Sequence, residues 1–289
     1  NVRVVGQERN VTTWRLARMS LAMHGIDGEI ALGDTLLDDR FPGLMADRII
    51  ANPPFNVSDW GVERLLGDAR FARGLPPARN ANYAWLQHIV HHLAPDGVAA
   101  VVMPGSSLMS IVPAEQRIRA RLVEDGIVDC VITLPERLFP AYGDGVCVWV
   151  MRSPDRPDVW RSQVLMISAG GCGRLTRGSG RELTADDIAC IAGTYRAWRG
   201  LEGAGYDDVP GWCRSVGLDE LRVQGHQLAP SAYVGGDRSS SDAEMTAATI
   251  RRLLGEIRAH RRDIAALDKL IAGTVARIGG DGVGAEWTS

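Results

Sequence analysis

The chain has 289 residues, enough to bury a full core and to build about two domains. Hydrophobic residues make up 45% and charged residues 23%, and no apolar run approaches the ~20 residues of a membrane-spanning helix, so no membrane partner is expected. A net charge of −3 excludes a broadly basic surface, so work on nucleic acid calls for a local basic face or a basic partner.

Five widely spaced cysteines, Cys130, Cys147, Cys172, Cys190 and Cys213, show no metal-finger spacing and read as free, mostly buried thiols of a cytoplasmic protein. Basic residues are almost all Arg, with Lys269 the only Lys. From Asn1 to Gly6 the chain reads as a buried strand and not as a basic leader.

Short apolar runs then alternate with helical patterns as far as residue 169, the signature of an α/β domain with a largely parallel sheet. The predicted strands are Val2–Val5, Glu29–Leu32, Asp47–Ala51, Val98–Met103, Ile127–Ile132, Val146–Met151 and Gln163–Ile167. Helices fit at Thr12–His24, Asn82–Leu93 and Ala114–Asp125, with turns at Ala94-Pro95-Asp96-Gly97 and Glu124-Asp125-Gly126. The stretch Leu134–Gly145 is too short for a crossover helix, which makes Val146–Met151 an antiparallel strand.

Residues 170–240 read as an irregular extension with one helix, Thr184–Trp198, capped by Thr184 and Asp187. Over 241–280, Ile250, Ile257, Ile264, Ile271 and Ile278 recur every seven residues with Leu253 and Leu267 at complementary positions, a coiled-coil seam for a partner subunit. The alternative is one amphipathic helix packed on its own domain. Residues 281–289 form a tail.

The chemistry concentrates at predicted strand ends. Asn52-Pro53-Pro54-Phe55 follows the run Ile49-Ile50-Ala51. An Asn side-chain carbonyl and the next backbone carbonyl can accept both hydrogens of a planar amine, prolines stiffen the turn, and Phe55 offers a flat face to a base taken out of its stack. Glu8 follows the first strand and Asp34 the second, so the three ends are expected to line one sheet edge, where α/β folds bind ligands. His88, His91 and His92 share a helix, but no Cys or carboxylate constellation stands near them in sequence, and no metal is expected.

Gly6-Gln7-Glu8, Thr12, Leu16-Ala17-Arg18-Met19, Met23-His24-Gly25, Gly33-Asp34-Thr35-Leu36 and Asn52-Pro53-Pro54-Phe55, in this order, resemble the modification subunit of type I restriction-modification systems. The matches continue through Trp85-Leu86-Gln87-His88-Ile89, Gly97–Pro104, Leu134-Pro135 with Leu138-Phe139, Arg181-Glu182-Leu183-Thr184, Tyr195, Trp198, Leu228-Ala229-Pro230 and Tyr233. The resemblance implies a Rossmann-like methyltransferase fold, S-adenosylmethionine as cofactor and the exocyclic amine of adenine in DNA as target. It implies that Glu8 holds the cofactor ribose, Asp34 its adenine, Asn52 and Pro53 the target amine, and that Phe55 stacks on the base. As partners the resemblance implies DNA, a specificity subunit, a second modification subunit and, in the full complex, a restriction subunit.

Two departures stand out. The Gly-rich loop that the family carries ahead of the Glu8 strand, and its N-terminal helical region, have no counterpart here. The expectation is a C-terminal part of a longer protein, incomplete at its N-terminus and inactive alone. A catalytically inactive assembly module, or a methyltransferase for protein glutamine or RNA, are the alternatives.

Overall fold

The structure is a computed structural model that describes residues 2–139, 142, 145–155, 162–176, 180–201, 203 and 205–235. The heptad stretch and the tail lie outside the described residues. In chain order come β1 (Val4–Glu8), α1 (Val11–Met23), β2 (Gly28–Leu32), β3 (Ala46–Ala51), α2 (Asn82–His91), β4 (Leu93–Pro104), α3 (Pro113–Glu124) and β5 (Val128–Thr133). Then follow β6 (Val146–Arg152), β7 (Gln163–Ser168), the short strands β8 (Arg174–Leu175) and β9 (Arg181–Glu182), α4 (Ala185–Trp198), β10 (Cys213–Gly217) and α5 (Leu218–Val223).

Six strands form the main sheet in the order β10-β7-β5-β6-β4-β3. Pairs β3–β4 and β5–β7 are parallel, while β6 runs antiparallel between β4 and β5, as the short connection requires. Alternation along the strands sends successive side chains to opposite faces. Cys147, Trp149, Met151, Val164 and Met166 enter a core with Tyr83 and Leu86 of α2 and Ile118 and Leu122 of α3. Their neighbours Val150, Leu165 and Ile167 enter a second core with Trp198 of α4. Each large apolar side chain buried in these layers contributes about 1.5–3 kcal/mol.

Four expectations are corrected. The turn Ala94–Gly97 does not separate helix from strand: pairing jumps from Ala46–Leu93 to Arg48–Val98, so 94–97 bulge out within β4. A Cβ on Gly97 would stand 2.7 Å from the Ala46 carbonyl, which is why Gly closes this bulge. The first strand lies two or three residues further on than predicted, at Val4–Glu8, and is half-buried instead of buried. The extension is less irregular than expected: β10 extends the sheet antiparallel to β7, and Arg174–Leu175 of β8 pairs with Arg181–Glu182 of β9.

β1 and β2 form a separate parallel pair. Helix α1 lies against them through Trp14 Nε1, which donates to the Ile30 carbonyl at 2.7 Å, yet none of its residues is buried. Among the described residues β3 pairs only with β4, and Ile50 is 90% exposed. No helix among the described residues is long and apolar enough to cross a membrane. Cys130, Cys147 and Cys213 are buried free thiols, Cys172 is half-buried and Cys190 exposed.

Candidate active site

Glu8 and Asp34 leave the same end of the β1–β2 pair: Glu8 lies opposite Leu32, and Gly33 N donates to the Glu8 carbonyl at 3.1 Å. Each carboxylate uses one oxygen to shape its own loop. Glu8 Oε1 accepts from Asn10 N at 2.6 Å, and Asn10 in turn caps α1 by accepting from Thr12 N and Thr13 N. Asp34 Oδ1 accepts from Leu36 N and Leu37 N at 3.1 and 3.2 Å, while Arg9 Nη1 stands 3.4 Å from Oδ2. Glu8 Oε2 has no hydrogen-bond partner among the described residues, and Asp34 stays partly exposed at 31%. Glu8 with a free oxygen, and Asp34 with an outer oxygen held only by a long 3.4 Å contact from the exposed Arg9, fit the hydroxyls and the amine of a nucleoside.

Asn52 follows β3 and is exposed; no hydrogen bond engages its amide among the described residues. Pro53 is buried and Phe55 half-buried. Next to them Asn56 takes φ 55°, a left-handed turn that Asn tolerates better than most side chains. Asn82, at the start of α2, accepts from Asn56 N and donates to Asn56 Oδ1, each at 2.9 Å. Asn56 Nδ2 donates to the Tyr142 hydroxyl at 3.0 Å, and the Tyr142 ring meets Phe55 edge-on at 5.0 Å.

A cleft of about 330 Å³ opens beside this turn, lined by Gly105, Ser106, Thr133, Leu134, Tyr142 and Val146 at the carboxyl ends of β4 and β5. The expectation that Glu8, Asp34 and Asn52 share one edge holds by pairing for the two acids. Asn52 belongs to the other sheet, and side chains make the link. Asn56, Asn82 and Tyr142 escaped the sequence reading, because 26 and 86 residues separate Asn56 from its two partners.

The histidine helix also holds more than its sequence suggested. His88 and His92 approach Asp39, with one possible ligand atom from each within 4.8 Å of the others. His92 Nε2 lies 3.0 Å from Asp39 Oδ2 and its Nδ1 2.9 Å from the Leu44 carbonyl. Arg70 Nη1 lies 3.1 Å from His88 Nδ1; a guanidinium only donates, so the His88 ring proton sits on Nε2. A metal on that Nε2 would force the proton to Nδ1, against the Arg70 donor, so these groups suit a hydrogen-bonded cluster better than a metal centre. Burial, followed by charge on His92 and Arg70, pushes His88 down to about 3. Burial raises Asp39, but the Phe41 N–H and the two histidines outweigh it and hold the carboxyl below its usual range.

The layered sheet with acids beyond consecutive parallel strands is that of a methyltransferase-type α/β fold. The chain belongs to the N-6 DNA Methylase family, whose sequence model matches residues 1–242. It is 37% identical over 244 residues to the type I restriction enzyme HindI methylase subunit of Haemophilus influenzae, covering 84% of this chain and 54% of that protein. Against the MjaIX methylase subunit of Methanocaldococcus jannaschii it is 32% identical over 238 residues, covering 80% and 42%. The chain thus spans about half the length of the curated relatives it matches. Among solved structures, the type I restriction-modification methyltransferase subunit from Streptococcus thermophilus aligns with a TM-score of 0.71 at 24% identity, over 80% of this chain and 54% of that one. The type I restriction enzyme EcoKI M protein aligns at 0.62 and 19%, over 78% and 52%. At these identities the two structures speak for the fold.

Proposed function

We propose that this chain is part of an adenine-specific DNA methyltransferase subunit of a type I restriction-modification complex, with S-adenosylmethionine as methyl donor. The observation that carries the reading is the exposed, unengaged Asn52 amide on a turn braced by Asn56 and Asn82, beside a cleft and the Tyr142 ring. Adenine's exocyclic nitrogen is a poor nucleophile because its lone pair is delocalised into the ring. Asn52 Oδ1 and the Pro53 carbonyl accept its two hydrogens, which shifts electron density onto nitrogen and favours pyramidal geometry. Phe55 stacks on the extruded base and fixes its plane. S-adenosylmethionine supplies an electrophilic sulfonium methyl group; Glu8 accepts from its ribose hydroxyls and Asp34 from its adenine amine.

Sequence choice in DNA belongs on this reading to a specificity subunit, bound through the heptad stretch, with a second modification subunit and a restriction subunit completing the assembly. The relatives are named as methylase subunits of type I restriction enzymes, which supports a multi-subunit setting. The test is the full-length subunit with its specificity subunit and Asn52→Ala, assayed for methylated adenine in cognate DNA. Methylation is expected to fall by at least about a hundredfold, the scale of losing a preorganised transition-state contact. Unchanged methylation overturns the role of Asn52.

A further inference from the structure

We propose that Arg70 is a positioning residue for Asp34, holding the loop that presents this carboxylate and thereby setting how well the site recognises the adenine ring of the methyl donor. The inference rests on the reading of Asp34 just given. Arg70 lies in a single turn of 3-10 helix, Ala69–Phe71, downstream of the Asn52 turn, and is 7% exposed. All five of its N–H groups have acceptors. Nε bonds Asp68 Oδ1 and Oδ2 at 3.0 and 3.1 Å, and Nη2 bonds Asp68 Oδ2 at 2.7 Å. The remaining donors reach the Leu36 carbonyl from Nη2 at 2.7 Å, and the Thr35 carbonyl and His88 Nδ1 from Nη1, both at 3.1 Å.

Thr35 and Leu36 are the two residues after Asp34, and Leu36 N is itself bonded to Asp34 Oδ1. The guanidinium therefore grips the carbonyls of the same turn whose amides orient the carboxylate. Further along this loop His92 takes hold of Asp39 and the Leu44 carbonyl. Leu36 and Leu37 pack with Trp60, Leu65 and Phe71 from the segment after Asn52.

This grip matters because of how the strands pair. Among the described residues the β1–β2 pair shares no strand hydrogen bonds with the six-stranded sheet. The placement of Asp34 relative to Asn52 is thus transmitted through side chains, and Arg70 is the charged one that reaches from the Asn52 side to the Asp34 turn. A planar fork with five fixed donors can serve Asp68, two carbonyls and an imidazole at once; a lysine ammonium retains the charge but has only three donors at one point.

The experiment uses the full-length subunit in complex with its specificity subunit. KM and kcat are measured for S-adenosylmethionine and for the analogue carrying hypoxanthine in place of adenine, which offers a carbonyl where Asp34 needs a donor. The wild-type complex is expected to prefer the adenine form, and Asp34→Asn to lose that preference. Arg70→Lys is expected to reduce it by about tenfold, through KM for the natural donor and not through kcat. Asp68→Asn, which loosens the guanidinium but leaves it in place, shifts the preference the same way by a smaller factor and decides the matter if Arg70→Lys fails to fold. Loss of preference in Asp34→Asn with full preference in Asp68→Asn and in any folded Arg70→Lys overturns the positioning role. Retained preference in Asp34→Asn overturns the reading of Asp34 itself, and the role of Arg70 with it.

Discussion

Asn82 and Asn56 hold each other face to face: the Asn82 amide accepts the Asn56 main-chain N–H and donates to the Asn56 side chain, both at 2.9 Å. The first residue of a buried helix is thereby tied to the residue directly after the Asn-Pro-Pro-Phe turn. A rigid helix is a better support for a functional loop than neighbouring loops are.

Changing Asn56 separates its backbone role from its side-chain role. Asn56→Gly keeps φ 55° accessible but removes the bond to Tyr142 and leaves the buried Asn82 amide without its acceptor, so it is expected to lose about 1–3 kcal/mol of stability and about tenfold in methylation. Asn56→Ala adds left-handed strain of about 1 kcal/mol and is expected to melt lower than Asn56→Gly. Calorimetric melting together with a methylation assay checks both; equal activity in wild type and Asn56→Gly counts against the brace.

His88 predicts a direction for acid sensitivity. Its folded value of about 3 lies below the ordinary 6.5, so between these limits the unfolded chain binds a proton at this ring that the folded chain refuses. Stability from this group is complete above pH 6.5 and declines as the pH falls toward 3, with a limiting slope of about 1.4 kcal/mol per pH unit. Urea unfolding at pH 7, 6 and 5 is expected to show a shallower decline in His88→Gln than in wild type. Parallel declines refute the assignment.

The start of α4 carries a reciprocal cap, with Asp187 N donating to Thr184 Oγ1 at 3.1 Å and Thr184 N to Asp187 Oδ2 at 2.8 Å. Thr184→Ala is expected to cost about 1 kcal/mol, seen as a lower urea midpoint at unchanged slope. Asp187→Ala costs more, because the Gly173 N–H also loses its acceptor. A larger loss in the Thr184 variant contradicts this ranking.

For the heptad stretch the prediction comes from sequence periodicity. Ile257→Asp combined with Ile264→Asp is expected to leave the melting of the α/β domain in place and to abolish co-purification with the specificity subunit. Normal stoichiometry in the pull-down favours a helix packed on its own chain.

What could be read from the sequence follows interaction range. The cap of α4, the start of α2, the bounds of α3 to within a residue and the antiparallel β6 were legible because each is decided within a dozen or so residues. The acids at the ends of β1 and β2 were legible because parallel strands place consecutive carboxyl ends together. β10 was not: Cys213-Arg214-Ser215-Val216-Gly217 lacks a strand's apolar alternation and owes its state to the edge of β7 and to the bond from Trp198 Nε1 to Ser215 at 2.9 Å. The clustering of Asp39 with His92 was equally hidden, since 53 residues separate them and only the fold brings them together.

The reversed direction of β6 has one more consequence. Since β6 runs against its neighbour β5, the end of β5 and the start of β6 lie at the same end of the sheet, and joining them through residues 134–145 requires no crossover. The length of that connection is therefore not dictated by the span of a sheet face. Evolution could lengthen or shorten this connection, and so remodel the wall beside Phe55, at little cost to the strands that carry the rest of the site.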